Sequence, residues 1–183
     1  MADVSQMNAA QPIDINALKS QVDAEIAARL LVEAEQALHI HRRGFSVGNL
    51  RLLVHMETAS EVLEMPAWFR LPGAPHGVKG LVNRHGRVVP VIDISRLFDI
   101  QHDGADYPWL LVCGRGDDAV GITISSLPER KKFVNEDQVS LAAVTHPIAA
   151  YAKGAYREGQ DIWIDLDTDA FFGFVFQVEP GSL

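Results

Sequence analysis

The chain has 183 residues, of which 48% are hydrophobic and 22% are charged, a composition typical of a soluble globular protein with one domain or two small ones. Its 24 acidic and 16 basic residues give a formal net charge of -8, which argues against nucleic acid and anionic lipid as partners. The single cysteine, Cys113, excludes an intramolecular disulfide, and its apolar neighbours predict a buried, unreactive thiol.

The N-terminal part, residues 1–43, is predicted to be a lead-in followed by a helix. The sequence Arg42-Arg43-Gly44 suits a helix end, which predicts a helix over residues 16–42. We expect its apolar stripe either to pack on the rest of the chain or to bind a partner. The first residues lack the basic start and apolar core of a signal peptide, so we expect a cytoplasmic protein. Five apolar side chains recur at helical spacing, namely Ile15, Leu18, Val22, Ile26 and Leu30.

From residue 44 onward, short apolar runs alternate with glycine and proline, which predicts a mainly β barrel or sandwich. The dipeptide Gly48-Asn49 separates two apolar runs and predicts the turn of a β-hairpin. We therefore assign a β-rich domain to residues 44–176 and a short C-terminal tail to residues 177–183.

One segment occurs twice along the chain. Lys79-Gly80 recurs as Lys153-Gly154, an offset of 74 residues (153 − 79), and Asp93 recurs at the same offset as Asp167. The repeat predicts that one hairpin and the turn after it are used twice, in two small barrels. Each barrel alone would fall below the roughly 70 residues that a small domain needs, so we expect the two to share an apolar core.

The first copy of this segment, residues 78–98, is predicted to be a hairpin with a polar turn. Gly86 supplies the positive φ that the turn requires, and Gly80 is predicted to serve the backbone as well. Pro90 lies inside the returning run, and we expect it at a bulge or a sheet edge because proline donates no ladder hydrogen bond. Asp93 follows the strand and is predicted to cap the backbone after it.

This segment resembles the CheW-like domain family, an adaptor module of bacterial chemotaxis. The family pattern KG-x-x-N-x-RG-x-x-xP-x-xDL is matched at Lys79-Gly80, Asn83, Gly86, Pro90, Asp93 and Ile94, with Leu97-Phe98 closing the segment. Upstream, the family's V-x-E-V and R-x-P-x-x-P segments are similar to Glu61-Val62, Arg70, Pro72 and Pro75. The resemblance covers about residues 44–173 and is weaker in the second half.

The resemblance implies a mainly β fold of two five-stranded SH3-like β-barrels that share an apolar core, here preceded by a helix. It also implies a scaffold that catalyses no reaction and needs no cofactor. The implied partners are the regulatory domain of a CheA-type histidine kinase and the cytoplasmic tip of a methyl-accepting chemoreceptor. We therefore expect recruitment to membrane-associated receptor arrays, with no direct insertion into the membrane and no binding to nucleic acid.

Two departures from the family pattern point to a subfamily. His85 occupies the position before the turn glycine, where the family usually has arginine, and Arg84 lies one residue earlier. The strand after Gly48 reads LRLLVHM rather than carrying Tyr-Gly-Ile. With the long N-terminal helix, these features resemble the PilI-like adaptors of type IV pilus twitching-motility systems. The alternative is an adaptor of a pathway whose output is a nucleotide cyclase or gene expression.

The resemblance implies a protein-binding surface that consists of a receptor groove and a kinase-docking region. Carried over by position, the candidates are Ala59, Glu61, Val62, Lys79, Arg84, His85, Gly86 and Arg87. Arg84 and Arg87 are included because either could replace the arginine that His85 displaces. Each candidate also has a purely structural interpretation, such as a solvated charge for Glu61 or a core position for Val62.

The residues predict no reactive centre. The seven histidines are scattered without zinc-type spacing, so we predict no metal site and no catalytic residue. The acidic series Asp161, Asp165, Asp167 and Asp169 lacks the glycine and terminal glutamate of a calcium loop, and we interpret it as a solvated edge of a strand. A small-ligand-binding β-barrel is the rival interpretation, and a large enclosed pocket with converging polar groups would favour it.

Overall fold

A computed structural model describes residues 15–37, 39–100 and 107–177 of the chain. It divides into two compact units, with the division between residues 38 and 39. The first unit contains helix α1, Ile15–Ala37. The predicted lead-in before residue 15 and the predicted tail beyond residue 177 lie outside the described residues. None of the helices in the described ranges combines the length and apolar character needed to cross a membrane.

In its described residues the second unit is mainly β, as predicted, with two short α-helices: α2 at Ile94–Leu97 and α3 at Thr168–Gln177. Its strands are β1 (Ile40–Val47), β2 (Leu50–His55), β3 (Ala59–Glu64), β4 (Trp68–Phe69), β5 (Val78–Arg84), β6 (Arg87–Ile92), β7 (Trp109–Cys113), β8 (Val120–Ile124), β9 (Glu129–Phe133), β10 (Gln138–Val139), β11 (Ala152–Glu158) and β12 (Asp161–Leu166). Sheet A has the order β10-β11-β12-β2-β1-β9, and sheet B has the order β3-β7-β8-β6-β5-β4.

The prediction of a helix up to residue 42 is wrong at its end. Residues 40–43 belong to β1, which pairs with β2 on one side and with β9 on the other. Ladder hydrogen bonds on both edges of β1 therefore outweigh the helix-ending pattern of Arg42-Arg43-Gly44. The hairpin predicted at Gly48-Asn49 is confirmed, since Val47 pairs with Leu50 and Gly48 has a φ of 56°.

Each sheet contains six strands rather than the five expected for each barrel. The difference is one two-residue strand in each sheet, β4 in sheet B and β10 in sheet A. Strands this short carry no alternation of apolar and polar residues that a sequence pattern could reveal. β4 forms because Gly80 has no side chain, since a Cβ there would collide with the carbonyl oxygen of Phe69 and with the Trp68 ring.

The predicted repeat is confirmed in detail. Adding 74 to the bounds of hairpin β5–β6 gives the bounds of hairpin β11–β12, and both hairpins have a register shift just before the repeated glycine, Gly80 or Gly154. In each copy the aspartate after the hairpin caps a helix: Asp93 Oδ1 accepts from a backbone N–H of α2, and Asp167 Oδ1 accepts from one of α3. The copies therefore share backbone geometry as well as sequence.

The two sheets also share one strand order. In both, the second strand of the repeated hairpin runs parallel to its next neighbour, β6 to β8 in sheet B and β12 to β2 in sheet A. Sheet B is built from the consecutive strands β3–β8, whereas sheet A combines β9–β12 with the hairpin β1–β2 from the other end of the unit. The second repeat is therefore a circular permutation of the first.

Each sheet curls until strands near its two ends meet. In sheet B, Arg84 of β5 pairs with Glu61 of β3 although three strands separate them. In sheet A, the ring of Phe133 in β9 stacks on Tyr156 in β11, with ring centroids 5.0 Å apart. Each curled sheet has a small apolar cluster of its own, and a larger cluster between the sheets contains residues from both. The predicted shared core is therefore present.

Candidate functional site

The predicted site residues Glu61 and Arg84 form a two-point ion pair where β3 meets β5 in the curled sheet B. We call such a meeting of the two ends of a sheet its seam. Arg84 Nε donates to Glu61 Oε2 at 2.9 Å, and Arg84 Nη2 donates to Glu61 Oε1. The hydrogen bonds from Arg84 lower the pKa of Glu61; burial opposes this shift, and the positive charges of Arg84 and His85 add to it. Each side chain is 33% exposed, so a partner can reach the pair.

His85 and Gly86 form the two-residue turn next to this pair. Both have positive φ, 51° and 78°, as a type I′ hairpin turn requires. Asn83 Oδ1 accepts a hydrogen bond from the backbone N–H of Gly86 at 3.1 Å and holds the turn in place. Beside the turn, Arg87 forms an exposed ion pair with Asp117. Arg84 thus pairs with the strand glutamate, whereas His85 occupies the turn.

Ala59 and Val62 do not lie on the same side of β3 as Glu61. Both pack against the cluster between the sheets. Glu61 points toward the seam because the register of β3 shifts between Ala59 and Glu61, where Ser60 Oγ donates to the carbonyl oxygen of Val112 at 3.1 Å. The predicted candidates on β3 are therefore divided between the shared core and the seam.

Lys79 lies apart from the seam, at an open pocket of about 700 Å³ at the edge of sheet B. Its ammonium lies 5.4 Å from the centroid of the Trp68 ring, a cation–π distance. Trp68 and Phe69 of β4 are 40% and 69% exposed, so the short edge strand presents two aromatic rings to solvent. The pocket is lined by Glu64, Met65, Pro66, Ala67, Trp68, Lys79, Tyr107, Pro108 and Trp109.

A second concave surface, an open groove of about 610 Å³, lies between α3 and sheet B. Its apolar part includes Phe172 and Phe176 of α3, which face Pro90 and Val120 of the sheet. Phe176 is 44% exposed, which is unusual for a side chain of this size. Three carboxylates line the groove, those of Asp117, Asp118 and Asp169. The ion pair between Arg87 and Asp117 connects this groove to the turn at His85.

Pro90 lies inside sheet B rather than at its edge. Strand β6 pairs with β8 only at Val91 and Ile92, so the part of β6 that contains Pro90 has no ladder partner on that side. The missing N–H of Pro90 is therefore tolerated within an interior strand.

The interpretation of the acidic series as a solvated edge of a strand is wrong for three of its four members, because Asp165 is buried and Asp167 and Asp169 lie beyond the end of β12, at the start of α3. Asp165 is 3% exposed, and both of its carboxylate oxygens accept a hydrogen bond from Arg42 Nε at 2.8 Å. Asp167, two residues on, caps α3 and lies 3.6 Å from the ammonium of Lys153. The even spacing of the aspartates suggested one solvated face of a strand, but on β12 this face points toward the inside of the curled sheet A.

Cys113 is buried, as predicted, and burial raises the pKa of its thiol to about 12. No group of three or more His, Cys, Asp or Glu side chains within residues 15–37, 39–100 and 107–177 is placed to hold a metal ion. The two concave surfaces described above are open to solvent, and their ring-lined walls with charged side chains suit the docking of other proteins.

Comparison with known proteins agrees with this geometry. The chain is 23% identical to a chemotaxis protein CheW of Thermotoga maritima over 125 residues, 68% of this chain and 82% of that protein. It is 33% identical to the protein PilI of Pseudomonas aeruginosa over 69 residues, 38% of this chain and 39% of that protein.

The fold of the second unit also has a solved counterpart. The crystal structure of the scaffolding protein TtCheW from Thermoanaerobacter tengcongensis superposes with a TM-score of 0.59 at 16% identity, and the match covers 69% of this chain and 82% of that one. The profile of the CheW-like domain family matches residues 44–174, most of the chain. The chain therefore belongs to the CheW-like domain family of non-enzymatic adaptors in chemosensory signalling.

Proposed function

We propose that this protein couples the cytoplasmic tip of a methyl-accepting chemoreceptor to a CheA-type histidine kinase, in the cytoplasm at a membrane-associated array. The observation that carries the proposal is the groove between α3 and sheet B, in which Phe172 and Phe176 face Pro90 and Val120. A groove with an apolar floor and charged rims accepts an amphipathic helix. We assign this groove, with the neighbouring turn at His85, to the helical tip of the receptor.

We assign the pocket around Lys79 and the exposed rings of Trp68 and Phe69 to the kinase regulatory domain. Aromatic side chains beside a cation are typical anchors of protein interfaces. This pocket is lined by β3, β4, β5 and the start of β7, whereas the groove is lined by β6, β8 and α3, and the two share no lining residue. We also infer that each curled sheet is an SH3-like barrel of five longer strands with one two-residue strand added.

We further propose that the signalling system controls type IV pilus twitching motility. The support is the 69-residue similarity to PilI, together with the sequence departures at His85 and after Gly48. Deletion of the gene should abolish twitching and leave the levels of cyclic nucleotides unchanged. A change in cyclic nucleotides or in gene expression with normal twitching would favour the alternative output.

Binding to purified partners tests the two assigned surfaces separately. Phe176→Glu should weaken capture of the receptor's cytoplasmic fragment, and Trp68→Glu should weaken capture of the kinase regulatory domain, each without affecting the other. Leu127→Glu is the matched control, because Leu127 is 56% exposed and lines neither surface. If Glu61→Ala and His85→Ala leave the binding of both partners unaltered, the positional assignment of the seam residues is wrong.

A further inference from the structure

Four basic side chains lie together on sheet A, away from the surfaces assigned above. In the pairing of β1 with β9, His41 lies opposite Lys132, and Arg43 lies opposite Arg130. Residues directly opposite in an antiparallel pair have their Cβ atoms about 5 Å apart. We call this group the basic face. It is unusual in a chain whose net charge is -8.

The four side chains share one side of the sheet. Arg43 is two residues from Phe45, which is buried in the cluster between the sheets, so both project from the same side of β1. Arg42, between His41 and Arg43, points to the other side, where it meets Asp165. His41, Arg130 and Lys132 are exposed and Arg43 is partly exposed, so this side of β1 changes from core to solvent along the strand.

Among the described residues, the basic face has no acidic partner. None of its four members forms an ion pair with any described residue of the chain. The Nε of Arg43 is buried and has no hydrogen-bond partner within the described ranges. Arg43 and Arg130 are like charges directly opposite each other on the sheet, an arrangement that is destabilising, so the free protein bears an energetic cost that bound carboxylates would relieve.

The position of β9 sets the direction along which the charges of the basic face repeat. β9 is the edge strand of sheet A, and within the described part of the chain the backbone of Glu129–Phe133 forms hydrogen bonds only with β1. Arg130 and Lys132 are two residues apart on this edge, which spaces them about 6.8 Å along the strand. An extended chain with an acidic residue at every second position repeats its carboxylates at the same spacing.

We propose that the basic face is a docking site for an extended acidic segment of a partner protein, which runs along the outer face of β9 and places alternate carboxylates on Arg130 and Lys132. Charge-assisted hydrogen bonds from the two cations would supply affinity, and the matched spacing would supply specificity. The net charge of -8 repels any anionic partner at long range, and it repels a membrane, a nucleic acid or a second copy of the chain more strongly than a short segment with few carboxylates. A short acidic protein segment is therefore the occupant that the charges favour. The proposal is independent of the function assigned to sheet B.

The test uses the full chain and two labelled peptides of about nine residues, one alternating Glu with Thr and one of the same composition with the Glu residues in a block. Fluorescence anisotropy at about 20 mM and about 150 mM salt should show salt-sensitive binding of the alternating peptide. Arg130→Glu/Lys132→Glu should weaken that binding at least about ten-fold, and Arg130→Gln/Lys132→Gln about three-fold or more.

The control variant, Arg96→Glu/Arg115→Glu, makes the same change in net charge at exposed positions on the other half of the unit, and it should bind as the wild type does. Thermal unfolding of every variant shows whether it is folded, and the milder glutamine pair keeps the test valid if the reversed pair is not.

The proposal is overturned if the alternating peptide does not bind at low salt, if the block peptide binds equally well, or if the control loses as much affinity. Tighter binding to vesicles containing about 30% phosphatidylserine, or to a DNA duplex of about 20 base pairs, would reassign the face to those polyanions. Self-association that the Arg130→Glu/Lys132→Glu change abolishes would reassign it to a second copy of the chain.

Discussion

The buried ion pair between Arg42 and Asp165 gives the sharpest stability prediction. The side chain of Asp165 is 4% exposed and that of Arg42 is 20% exposed, and the pair joins β1 to β12 across the inside of sheet A. Arg42→Met keeps most of the side-chain volume and leaves the carboxylate buried without its partner. Such a change typically costs about 3–5 kcal/mol, and we expect the lower end, about 3 kcal/mol, because the partial exposure of Arg42 lets water reach the site.

A loss of that size is large for a single-domain protein, whose unfolding free energy is about 5–15 kcal/mol. For a chain of this length it corresponds to a fall of about 6–12 °C in the midpoint of thermal unfolding. Urea unfolding followed by tryptophan fluorescence measures the free energy directly, because Trp163 lies in β12 close to the pair.

The double variant Arg42→Met/Asp165→Leu distinguishes a penalty for an unpaired charge from a loss of attraction. Removing both charges removes the cost of burying them, so the double variant should lie within about 1 kcal/mol of the wild type. A cost of less than about 1 kcal/mol for Arg42→Met, or a double variant as unstable as the sum of the single variants predicts, would contradict a penalty for the unpaired charge.

Three further predictions concern titratable groups. The pKa of Glu61 lies below its ordinary value of 4.5, so the ion pair stabilises the folded state above pH 4.5, and this stabilisation is lost as the pH falls through the folded-state pKa. Glu61→Gln should remove this loss, which we expect to be no more than about 1 kcal/mol because solvent screens the pair with Arg84. Burial lowers the pKa of His146 below 6.5, so stability should decline as the pH falls below 6.5, and urea unfolding of His146→Asn should lack that decline while the backbone cap is kept. Because the pKa of the buried Cys113 thiol is about 12, Ellman's reagent should react with it at pH 8 only as fast as the protein opens, and rapid reaction in the native state would contradict the burial.

Local signals in the sequence were enough to predict the repeated hairpins. Gly86 fixes the turn of the first copy, and the pair Lys79-Gly80 marks a register shift that recurs at Gly154. The cap at Asp93 was predictable for the same reason, since a cap requires a particular side chain at a particular distance from the helix start. Asp167 caps α3 in the same way, but it was assigned to a solvated strand edge. Features whose physical cause lies within a few residues leave a pattern in the sequence.

Features that depend on distant partners were not predictable in the same way. Asp165 looked solvated because its ion-pair partner, Arg42, is 123 residues away. The start of β1 at Ile40 was missed because its pairing with β9 involves residues about 90 positions later. The basic face was also missed, since His41 and Lys132 meet only when sheet A is assembled.

The seams of the two sheets show how one repeated scaffold acquires two different surfaces. The strands of the two sheets correspond one to one when the repeated hairpins are aligned. In this correspondence Glu129 of β9 takes the position of Glu61, and Glu158 of β11 takes the position of Arg84. Two glutamates therefore occupy the positions at which sheet B has an ion pair. Lys131 bridges them, with its ammonium 2.8 Å from Glu129 and 2.6 Å from Glu158.

The two seams differ in what they offer to a partner. Burial lowers the pKa of Lys131, but its hydrogen bonds with Glu129 and Glu158 outweigh burial, so the pKa is raised. The Lys131 side chain is only 13% exposed. The arginine of sheet B is 33% exposed and has a histidine turn beside it. In sheet A the cation is enclosed at the seam and the exposed positive charge lies instead on the basic face. An adaptor must bind different proteins at once. A duplicated backbone with diverged charges provides distinct surfaces for them. The separation of these surfaces is fixed because the shared core holds the two sheets together.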